Sequence, residues 1–377
     1  MKILAVDHNA ICSSDRGLYR ELNRMPGLEV ALLVPSFWEE HFGPSRFQPE
    51  VSSLPVYKSK TLFTSRSHRV IYFSLGKLLK ALRPDILYVN SEPEGYLAWQ
   101  AVKLRAQICP EAKVIIDSWR NIDYRGKRFP YKLAWLNTRA ERAVLSMADH
   151  CVAHTDGAKE ILQQHGFMKV TVIPPSVDTS VFRRSERSKR EQLGLSEFTI
   201  GFVGRFIPLK RVDLLLRAAR KLSFRYQLLL VGGGPAKSEW LALARELNID
   251  DRIIWRDPVP HSEVPSLLCA MDVLVLPSST GPLWKEQFGR VLIEAMACEV
   301  PVVGSSSGEI PSLIDDAGLI FQEGDEDDLA LKLSELYKSP QRRHELAEKG
   351  SKRIRERFSI PVVAHQYQKL FQMIVKE

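Results

Sequence analysis

Short apolar runs alternate with amphipathic helical segments along the whole chain. Strand-like runs of the first series are residues 3–6, 30–34, 86–89, 113–116, 150–153 and 171–173. A charged linker (183–191) precedes a second series, namely 199–203, 227–231, 253–255, 273–276, 300–303 and 318–321. Helical patterns between them include 212–221, 238–247, 263–270 and 327–337. Strands that alternate with helices indicate parallel sheets covered on both faces. The pattern therefore predicts an α/β fold of two doubly wound, Rossmann-like domains that face a central cleft.

The length of 377 residues also favours two domains over a single core. We place the first domain at residues 1–178 and the second at 179–359. The last segment is helical in pattern from 341 to 376, with a break or kink at Pro361. We expect the helix at about 360–377 to pack back on the first domain.

The composition is that of a globular protein, with 45% hydrophobic and 26% charged residues. No apolar run approaches the roughly 18–20 residues that span a bilayer. The apolar run at residues 3–6 is too short for a signal peptide, so we expect a cytoplasmic protein. The five cysteines form no close pair in sequence and no metal-ligand spacing, which indicates buried free thiols. No aspartate-rich metal motif is evident either, so we predict neither a metal nor a cofactor.

Most of the net charge of +8 is concentrated in the first half of the chain. Residues 51–84 contain no acid at all, and their bases are interleaved with apolar side chains. These bases are Lys58, Lys60, Arg66, Arg69, Lys77, Lys80 and Arg83. Segment 57–83 could therefore lie on an anionic membrane surface, which would place the protein on the inner face of the membrane. An ordinary amphipathic helix with a solvated basic face is the alternative. Nucleic-acid binding is not expected, because no aromatic-basic recognition motif accompanies the charge.

Two carboxylates, Glu286 and Glu294, flank a glycine and the start of an apolar helix at residues 284–298. From Val291 onward only Glu294 interrupts the apolar run, and a buried carboxylate is costly unless it is paired. The helix start offers backbone N–H groups and the positive end of a dipole, which suits a phosphate. Two hydroxyl-binding carboxylates beside an anion site would fit a sugar nucleotide.

Residues that could bind a diphosphate also follow other predicted strands. Gly204 and Arg205 follow the strand at 199–203, and Lys210 comes before the next helix. Two cations there could neutralise a diphosphate, or could simply form a solvated basic loop. The turn at 232–235 lacks the third glycine of a dinucleotide fingerprint, because position 237 is Lys237. Its glycines, Gly232 and Gly234 among them, indicate a close approach of the backbone to a nucleotide or to a neighbouring helix.

These motifs together resemble a known enzyme family. The stretches 204–210, 232–235 and 286–297 closely resemble the retaining glycosyltransferases of family 4, which have the GT-B fold. The stretches 140–159 and 172–182 resemble the region that joins the two domains of that family. The resemblance covers most of the chain and is strongest between about 140 and 323. It implies that the first domain binds the acceptor and the second binds the nucleotide sugar.

The family pattern also implies roles for single residues. Arg205 and Lys210 would hold the donor diphosphate, Glu294 the nucleotide ribose, and Glu286 the donor sugar. The backbone of Phe288, Gly289 and Arg290 would lie near the sugar, Val291 and Leu292 would offer N–H groups to the phosphates, and the base would lie near 259–263. These roles imply Glu286, Arg205 and Lys210 as the catalytic residues. The remaining donor-binding candidates are Gly204, Gly232, Gly234, Phe288, Gly289, Arg290, Val291, Leu292 and Glu294.

The first domain departs from the family pattern. Pro175 and Ser176 replace a frequent Asn-Gly, and the common glycine-rich loop after the first strand is absent, with only Gly17 in that region. A histidine is frequent after the strand near 116, but this chain has none there. Trp119, Arg120 and Asn121 could face the acceptor instead, or could anchor the loop.

The resemblance implies a retaining, metal-independent hexosyltransferase that moves a sugar from a nucleoside diphosphate to an acceptor hydroxyl. Since the first half is basic, we expect a lipid-linked or cell-surface glycan as acceptor. A sugar-nucleotide epimerase of the same fold and a non-catalytic nucleotide-sugar-binding protein are the alternatives.

Overall fold

The computed structural model describes residues 1–40, 43–64, 67–123, 134–185 and 189–376. The chain divides into two compact units, of which the first is Met1–Ser176 with Ile360–Glu377 and the second is Val177–Ser359. Arg66 of the basic segment and residues 186–188 of the linker lie outside the described residues. Within the described ranges, no helix is both long and apolar enough to cross a bilayer.

The first unit is built on a parallel sheet with the strand order β11-β10-β9-β8-β1-β2-β5. The strands of this unit are β1 (Lys2–Val6), β2 (Glu29–Pro35), β3 (Phe37–Glu40), β4 (Gly43–Arg46), β5 (Val56–Ser59), β6 (Thr61–Leu62), β7 (Ile71–Tyr72), β8 (Ile86–Val89), β9 (Lys113–Ser118), β10 (His150–Ala153) and β11 (Val170–Val172). Two further pairs, β3 with β4 and β6 with β7, are short and antiparallel. The helices before the second unit are α1 (Gly17–Arg24), α2 (Leu75–Leu82), α3 (Tyr96–Ile108), α4 (Ala134–Leu145) and α5 (Asp156–Gln164).

Both faces of this sheet are covered, because its central strands have apolar side chains at consecutive positions. In β1, Leu4 and Val6 belong to one buried cluster, which includes residues of α2 and α3. Ile3 and Ala5 point the other way and belong to a second cluster with α1 and the C-terminal helix. Alternate side chains of a strand point to opposite faces, so a continuous apolar run requires a layer of helices on each side.

The second unit contains a parallel sheet with the strand order β14-β13-β12-β15-β16-β17. Its strands are β12 (Phe198–Val203), β13 (Tyr226–Val231), β14 (Ile253–Arg256), β15 (Val273–Leu276), β16 (Val302–Ser305) and β17 (Leu319–Phe321). Its helices are α6 (Val212–Arg220), α7 (Lys237–Glu246), α8 (Val264–Leu268), α9 (Arg290–Ala297), α10 (Ile310–Ile314), α11 (Glu326–Lys338) and α12 (Pro340–Arg353). A π-helical turn (Ile354–Phe358) ends this unit, and α13 (Ile360–Lys376) returns to the first.

Helix α13 begins one residue before Pro361. A proline is tolerated there because the N–H groups of the first turn have no carbonyl partner within the helix. Its buried residues include Tyr367 and Phe371, which pack with Tyr88 of β8. The helix is thus part of the first unit, although it follows the second unit in the sequence.

Each predicted strand is present, with ends displaced by at most two residues. The basic segment differs from the single amphipathic helix considered above. Of its described residues, Leu75–Leu82 forms α2 and Ser67–Arg69 a single 3-10 turn, while others form β5 and the small pair β6 and β7.

Candidate functional site

The donor-side candidates lie at the carboxyl edge of the second sheet, at its switch point. β12 and β15 are neighbours there, while β13 and β14 continue to one side and β16 and β17 to the other. Open parallel sheets bind ligands at such a point, outside the carboxyl ends of the strands. The loop after β12 contacts the loop after β15, where the Ser279 N–H donates to the Leu209 carbonyl over 2.9 Å.

The glycine-rich turn after β13 packs against the loop after β12. A Cβ on Gly232 would lie 1.9 Å from the Gly204 carbonyl oxygen, and one on Gly234 would lie 2.4 Å from the Phe206 carbonyl oxygen. The Phe206 N–H in turn donates to the Gly233 carbonyl over 2.7 Å. The close approach that the sequence analysis assigned to a nucleotide or a helix is therefore made by this neighbouring loop. Contact of these glycines with a donor stays a prediction.

Lys210, Glu286 and Ser278 form a tight polar cluster. The Lys210 Nζ lies 2.5 Å from the Glu286 Oε2, and the Ser278 hydroxyl donates to the same oxygen over 2.6 Å. Only 13% of the Lys210 side chain and 9% of the Glu286 side chain are exposed. The ammonium also lies 5.5 Å from the centre of the Trp284 ring. The structure thus brings together the cation predicted for the diphosphate and the carboxylate predicted for the sugar.

Gly289 sets the start of α9. It adopts φ +87° and ψ 52°, a left-handed conformation that side chains disfavour, and a Cβ there would lie 3.0 Å from Leu276. Its carbonyl accepts from the Leu292 N–H over 2.8 Å. A phosphate contact from the Leu292 amide would require this bond to be given up. Arg290 and Val291 occupy the first turn, whose amides have no partner within the helix itself.

Arg205 and Phe288 differ in how far their side chains are buried. Arg205 is half-buried in the loop that follows β12. Phe288 is buried, and its ring meets that of Phe358 edge-on at 6.0 Å. Because the Phe288 side chain fills the core, its backbone is the part that could face a ligand.

Glu294 lies on the second turn of α9 and is only 6% exposed. Its Oε1 lies 2.9 Å from the His261 Nε2 and 3.3 Å from the Arg290 Nε. Both of these contacts are made to the same carboxylate oxygen, Oε1. His261 also packs on Phe182, with 5.0 Å between the ring centres. His261 and Arg290 thus offset the cost of burying Glu294. From the sequence, only the stretch 259–263 around His261 was predicted to lie near the nucleotide.

Hydroxyl groups line the ends of β15 and β16, where Ser305 and Ser307 are buried and Thr280 is exposed. Ser305 donates to the Ser278 carbonyl over 2.5 Å, and Thr280 Oγ1 lies 3.0 Å from Ser307 Oγ. The Thr280 hydroxyl also donates to Glu323 over 2.9 Å. None of these residues was among the candidates predicted from the sequence. Such hydroxyls could recognise a sugar at the position next to Glu286.

On the first unit, Arg120 anchors the loop after β9. It is 3% exposed, and its guanidinium lies 3.3 Å from Glu94 and 2.6 Å from Glu141. The His165 Nδ1 lies 3.2 Å from the same guanidinium. Buried among these acids, Arg120 does not reach solvent, so the expectation that it faces an acceptor is corrected to the anchoring alternative.

The other acceptor-side candidates are distributed along two loops. The Trp119 ring packs at a tilt against His154 with 4.0 Å between the ring centres, and its backbone N–H donates to Glu92 over 2.7 Å. Asn121 is 5% exposed, and Gly17 is the first residue of α1. Trp119 and Gly17 are both half-buried, and contact of either with an acceptor stays a prediction.

Glu92 follows β8 and has an unusual carboxyl group. Its two oxygens accept from the Trp119 N–H and from the Ser118 hydroxyl. Burial, and then the nearby Glu94 carboxylate, raise the pKa of Glu92 to about 7, although Arg120 opposes the shift. A carboxyl group that titrates near neutrality at the carboxyl edge of the sheet was not foreseen from the sequence.

The basic segment forms an exposed surface. Leu62, Phe63 and Phe73 are 45%, 52% and 62% exposed. The Phe73 N–H donates to the Lys60 carbonyl across the short β6 and β7 pair, which sets a base beside the exposed ring. We call this set, together with the exposed Lys58, Lys77, Lys80 and Arg83, the basic apolar surface.

Two family models match the chain. The model described as Glycosyltransferase Family 4 matches residues 16–181, and the model described as Glycosyl transferases group 1 matches residues 184–353. The D-inositol 3-phosphate glycosyltransferase of Mycobacterium tuberculosis is 36% identical over 193 residues. That match covers 48% of this chain and 39% of the relative.

Solved structures share the fold over the whole chain. Sucrose-phosphate synthase from Thermosynechococcus elongatus has a TM-score of 0.76 at 20% identity, covering 100% of this chain and 99% of that one. Anabaena HepE in complex with UDP has a TM-score of 0.76 at 18% identity, covering 99% and 100%. HepE in complex with UDP-glucose also matches, with a TM-score of 0.72 at 19% identity, covering 99% and 100%. With adjoining family models over both halves and this shared architecture, the chain belongs to the glycosyltransferases of family 4 and has their GT-B fold.

Proposed function

We propose that the protein is a retaining, metal-independent glycosyltransferase that moves a sugar from a nucleoside diphosphate to a hydroxyl of a lipid-linked or cell-surface glycan. The observation that carries the proposal is the cluster of Lys210, Glu286 and Ser278 at the switch point of the second sheet. A buried cation and carboxylate in contact suit a ligand that carries both an anion and hydroxyl groups.

Charge stabilisation is the main chemical contribution of this site. As the bond to the sugar breaks, negative charge builds on the departing diphosphate. Arg205, Lys210 and the N-terminus of α9 supply fixed positive charge and N–H groups for it. Preorganised groups of this kind need no reorganisation during the reaction, and in this proposal they replace a metal ion.

The two carboxylates have separate roles. Glu294 binds the ribose hydroxyls, while His261 and Arg290 hold its Oε1. Glu286 binds hydroxyls of the transferred sugar, with Ser278 beside it. Neither acts as a general acid or base, because the departing phosphate takes the proton of the acceptor hydroxyl. The sugar therefore keeps its anomeric configuration.

The acceptor is proposed from the basic apolar surface. Exposed Leu62, Phe63 and Phe73 beside several lysines suit the boundary between anionic headgroups and acyl chains. We infer that the protein works at the inner face of a membrane, where a lipid-linked acceptor is within reach.

A donor screen tests the proposal. The protein is incubated with UDP-, GDP- and ADP-sugars, and release of the nucleoside diphosphate is measured with and without a lipid extract. UDP-glucose comes first, because HepE, which shares the fold, has been solved with it. We expect release that depends on the extract. Donor consumption without an acceptor would favour the epimerase, and binding without turnover would favour a non-catalytic protein.

A further inference from the structure

Two of the five cysteines lie side by side although they are distant in sequence. The Cys298 thiol lies within hydrogen-bonding reach of the Cys269 sulfur, the Cys269 S–H donates to the Arg183 carbonyl over 3.5 Å, and both thiols are free. Cys269 follows α8 and Cys298 follows α9, and these two helices pack together. Both thiols line a cavity of about 670 Å³ at the N-terminal edge of the sheet, on the opposite side from the donor site. Both thiols are free, as the sequence predicted, but the fold brings these two together.

The two thiols differ in reactivity. Cys269 is half-exposed, whereas Cys298 is buried. The hydrogen bond from Cys298, with help from the Ser185 backbone and the charge of Arg184, lowers the pKa of Cys269 to about 7. The same hydrogen bond and burial raise the pKa of Cys298. Because the thiolate is the nucleophile in exchange, Cys269 is the attacking thiol and Cys298 the second one.

We propose that Cys269 and Cys298 form a reversible disulfide by exchange with a low-molecular-weight disulfide such as oxidised glutathione. The Cys269 thiolate attacks one glutathione sulfur, which breaks the glutathione S–S bond and releases a glutathione thiolate. Cys298 then gives its proton to that thiolate and attacks the Cys269 sulfur of the mixed disulfide, which releases the second glutathione. Two cysteine thiols are oxidised, and one glutathione disulfide is reduced to two thiols.

The disulfide would act on the donor site through α9. The Cys298 N–H donates to the Glu294 carbonyl over 3.1 Å, one turn from the carboxylate that meets His261. Cys269 ends α8, the helix that begins directly after the turn His261–Glu263. Bond formation draws the two sulfurs to about 2.05 Å, which shifts the ends of both helices and so displaces Glu294 from His261. This effect on the nucleotide rests on the proposed function, whereas formation of the bond does not.

The bond itself is tested by mass spectrometry on the full chain. The protein is incubated with oxidised glutathione, alkylated and digested, and the peptides with Cys269 and Cys298 are examined. We expect one peptide pair linked through these residues and released by dithiothreitol. Cys298→Ser should stop at a glutathione adduct on Cys269, and Cys12→Ser, at another half-exposed thiol, should leave the linkage unchanged. Absence of the linked pair in the parent protein would overturn the proposal.

The effect on the site is tested by UDP titration before and after oxidation. We expect the Kd for UDP to rise at least threefold on oxidation and to recover on reduction, while Cys269→Ser stays constant throughout. A linked protein that binds UDP with unaltered affinity would overturn the coupling to Glu294. If the reduced protein binds no nucleotide at all, the proposed function fails, and the linkage is judged by the peptide result alone.

Discussion

Replacing Lys210 by methionine removes the charge of the donor site while keeping most of the aliphatic stem. The change deletes the ammonium that lies 2.5 Å from Glu286 and 5.5 Å from the Trp284 ring. If Lys210 neutralises the diphosphate, the affinity for UDP must fall because a buried cation has been lost.

The structure sets the size of the effect. A hydrogen bond to a charged group contributes about 1.5–3 kcal/mol, and each 1.4 kcal/mol is about tenfold in affinity. Since only 13% of the Lys210 side chain is exposed, solvent screens it little. We expect Lys210→Met to raise the Kd for UDP about 10- to 100-fold. The variant should also lose about 1–3 kcal/mol of stability, because the buried Glu286 carboxylate loses the ammonium that contacts it.

Calorimetric titration with UDP measures the first effect, and chemical unfolding the second. Lys221→Met is the matched control, because Lys221 is also ion-paired, to Glu326 and Asp327, but is exposed. It removes the same charge from the same unit and should leave the Kd unchanged.

The double variant Lys210→Met with Glu286→Gln separates stability from binding. Neutralising Glu286 should restore part of the stability lost in Lys210→Met, since no carboxylate is left without its cation. UDP affinity should stay weak, because the cation is still missing. A Kd of Lys210→Met for UDP within twofold of the parent value would refute the diphosphate role of Lys210. Full recovery of UDP affinity in the double variant would mean that Lys210 affects binding only through folding.

Three further predictions concern other parts of the molecule. Glu294→Gln should weaken UDP binding about 5- to 50-fold in calorimetry, because the ribose hydroxyls lose a charged acceptor; the exposed Glu239→Gln is the control, and equal affinities of the two would exclude the ribose role. Lys77→Glu with Lys80→Glu should lower cosedimentation with phosphatidylglycerol vesicles about tenfold, whereas pelleting like the parent would remove the membrane role. Because the pKa of Glu92 is raised to about 7 from 4.5, the folded protein holds a proton that the unfolded chain releases, so stability falls as the pH rises between these values. Glu92→Gln should therefore be stabilised over the parent at pH 8 and much less at pH 5 in urea unfolding, and an equal gain at both pH values would contradict this.

The architecture was predictable because each strand and helix has its own local pattern of apolar and polar residues. Strands such as β8 (Ile86–Val89) are buried on both faces, so their apolar runs are unbroken and distinct from the helices between them. The edge strand β5 (Val56–Ser59) and the pair β6 and β7 were missed. They are two to four residues long and partly exposed, so their pattern lacks an apolar run.

Side-chain partners were predictable only where the chain itself brings them close. Glu294 was identified because it interrupts an apolar helix, yet its partner His261 comes from another loop. Arg120 looked like an acceptor contact, since the sequence gives no sign that Glu94 and Glu141 surround it. Such pairings depend on tertiary packing, and a single sequence does not encode them in any local pattern.

The proposed function is tested most directly by the stoichiometry of the reaction. A donor with a labelled sugar is incubated with the protein and a lipid extract, and the nucleoside diphosphate and the labelled glycoside are both quantified. We predict one glycoside for each nucleoside diphosphate released, formation of both only in the presence of the acceptor, and loss of both in Lys210→Met. Equal release without any acceptor, or donor binding with no release, would contradict glycosyl transfer as the function of this protein.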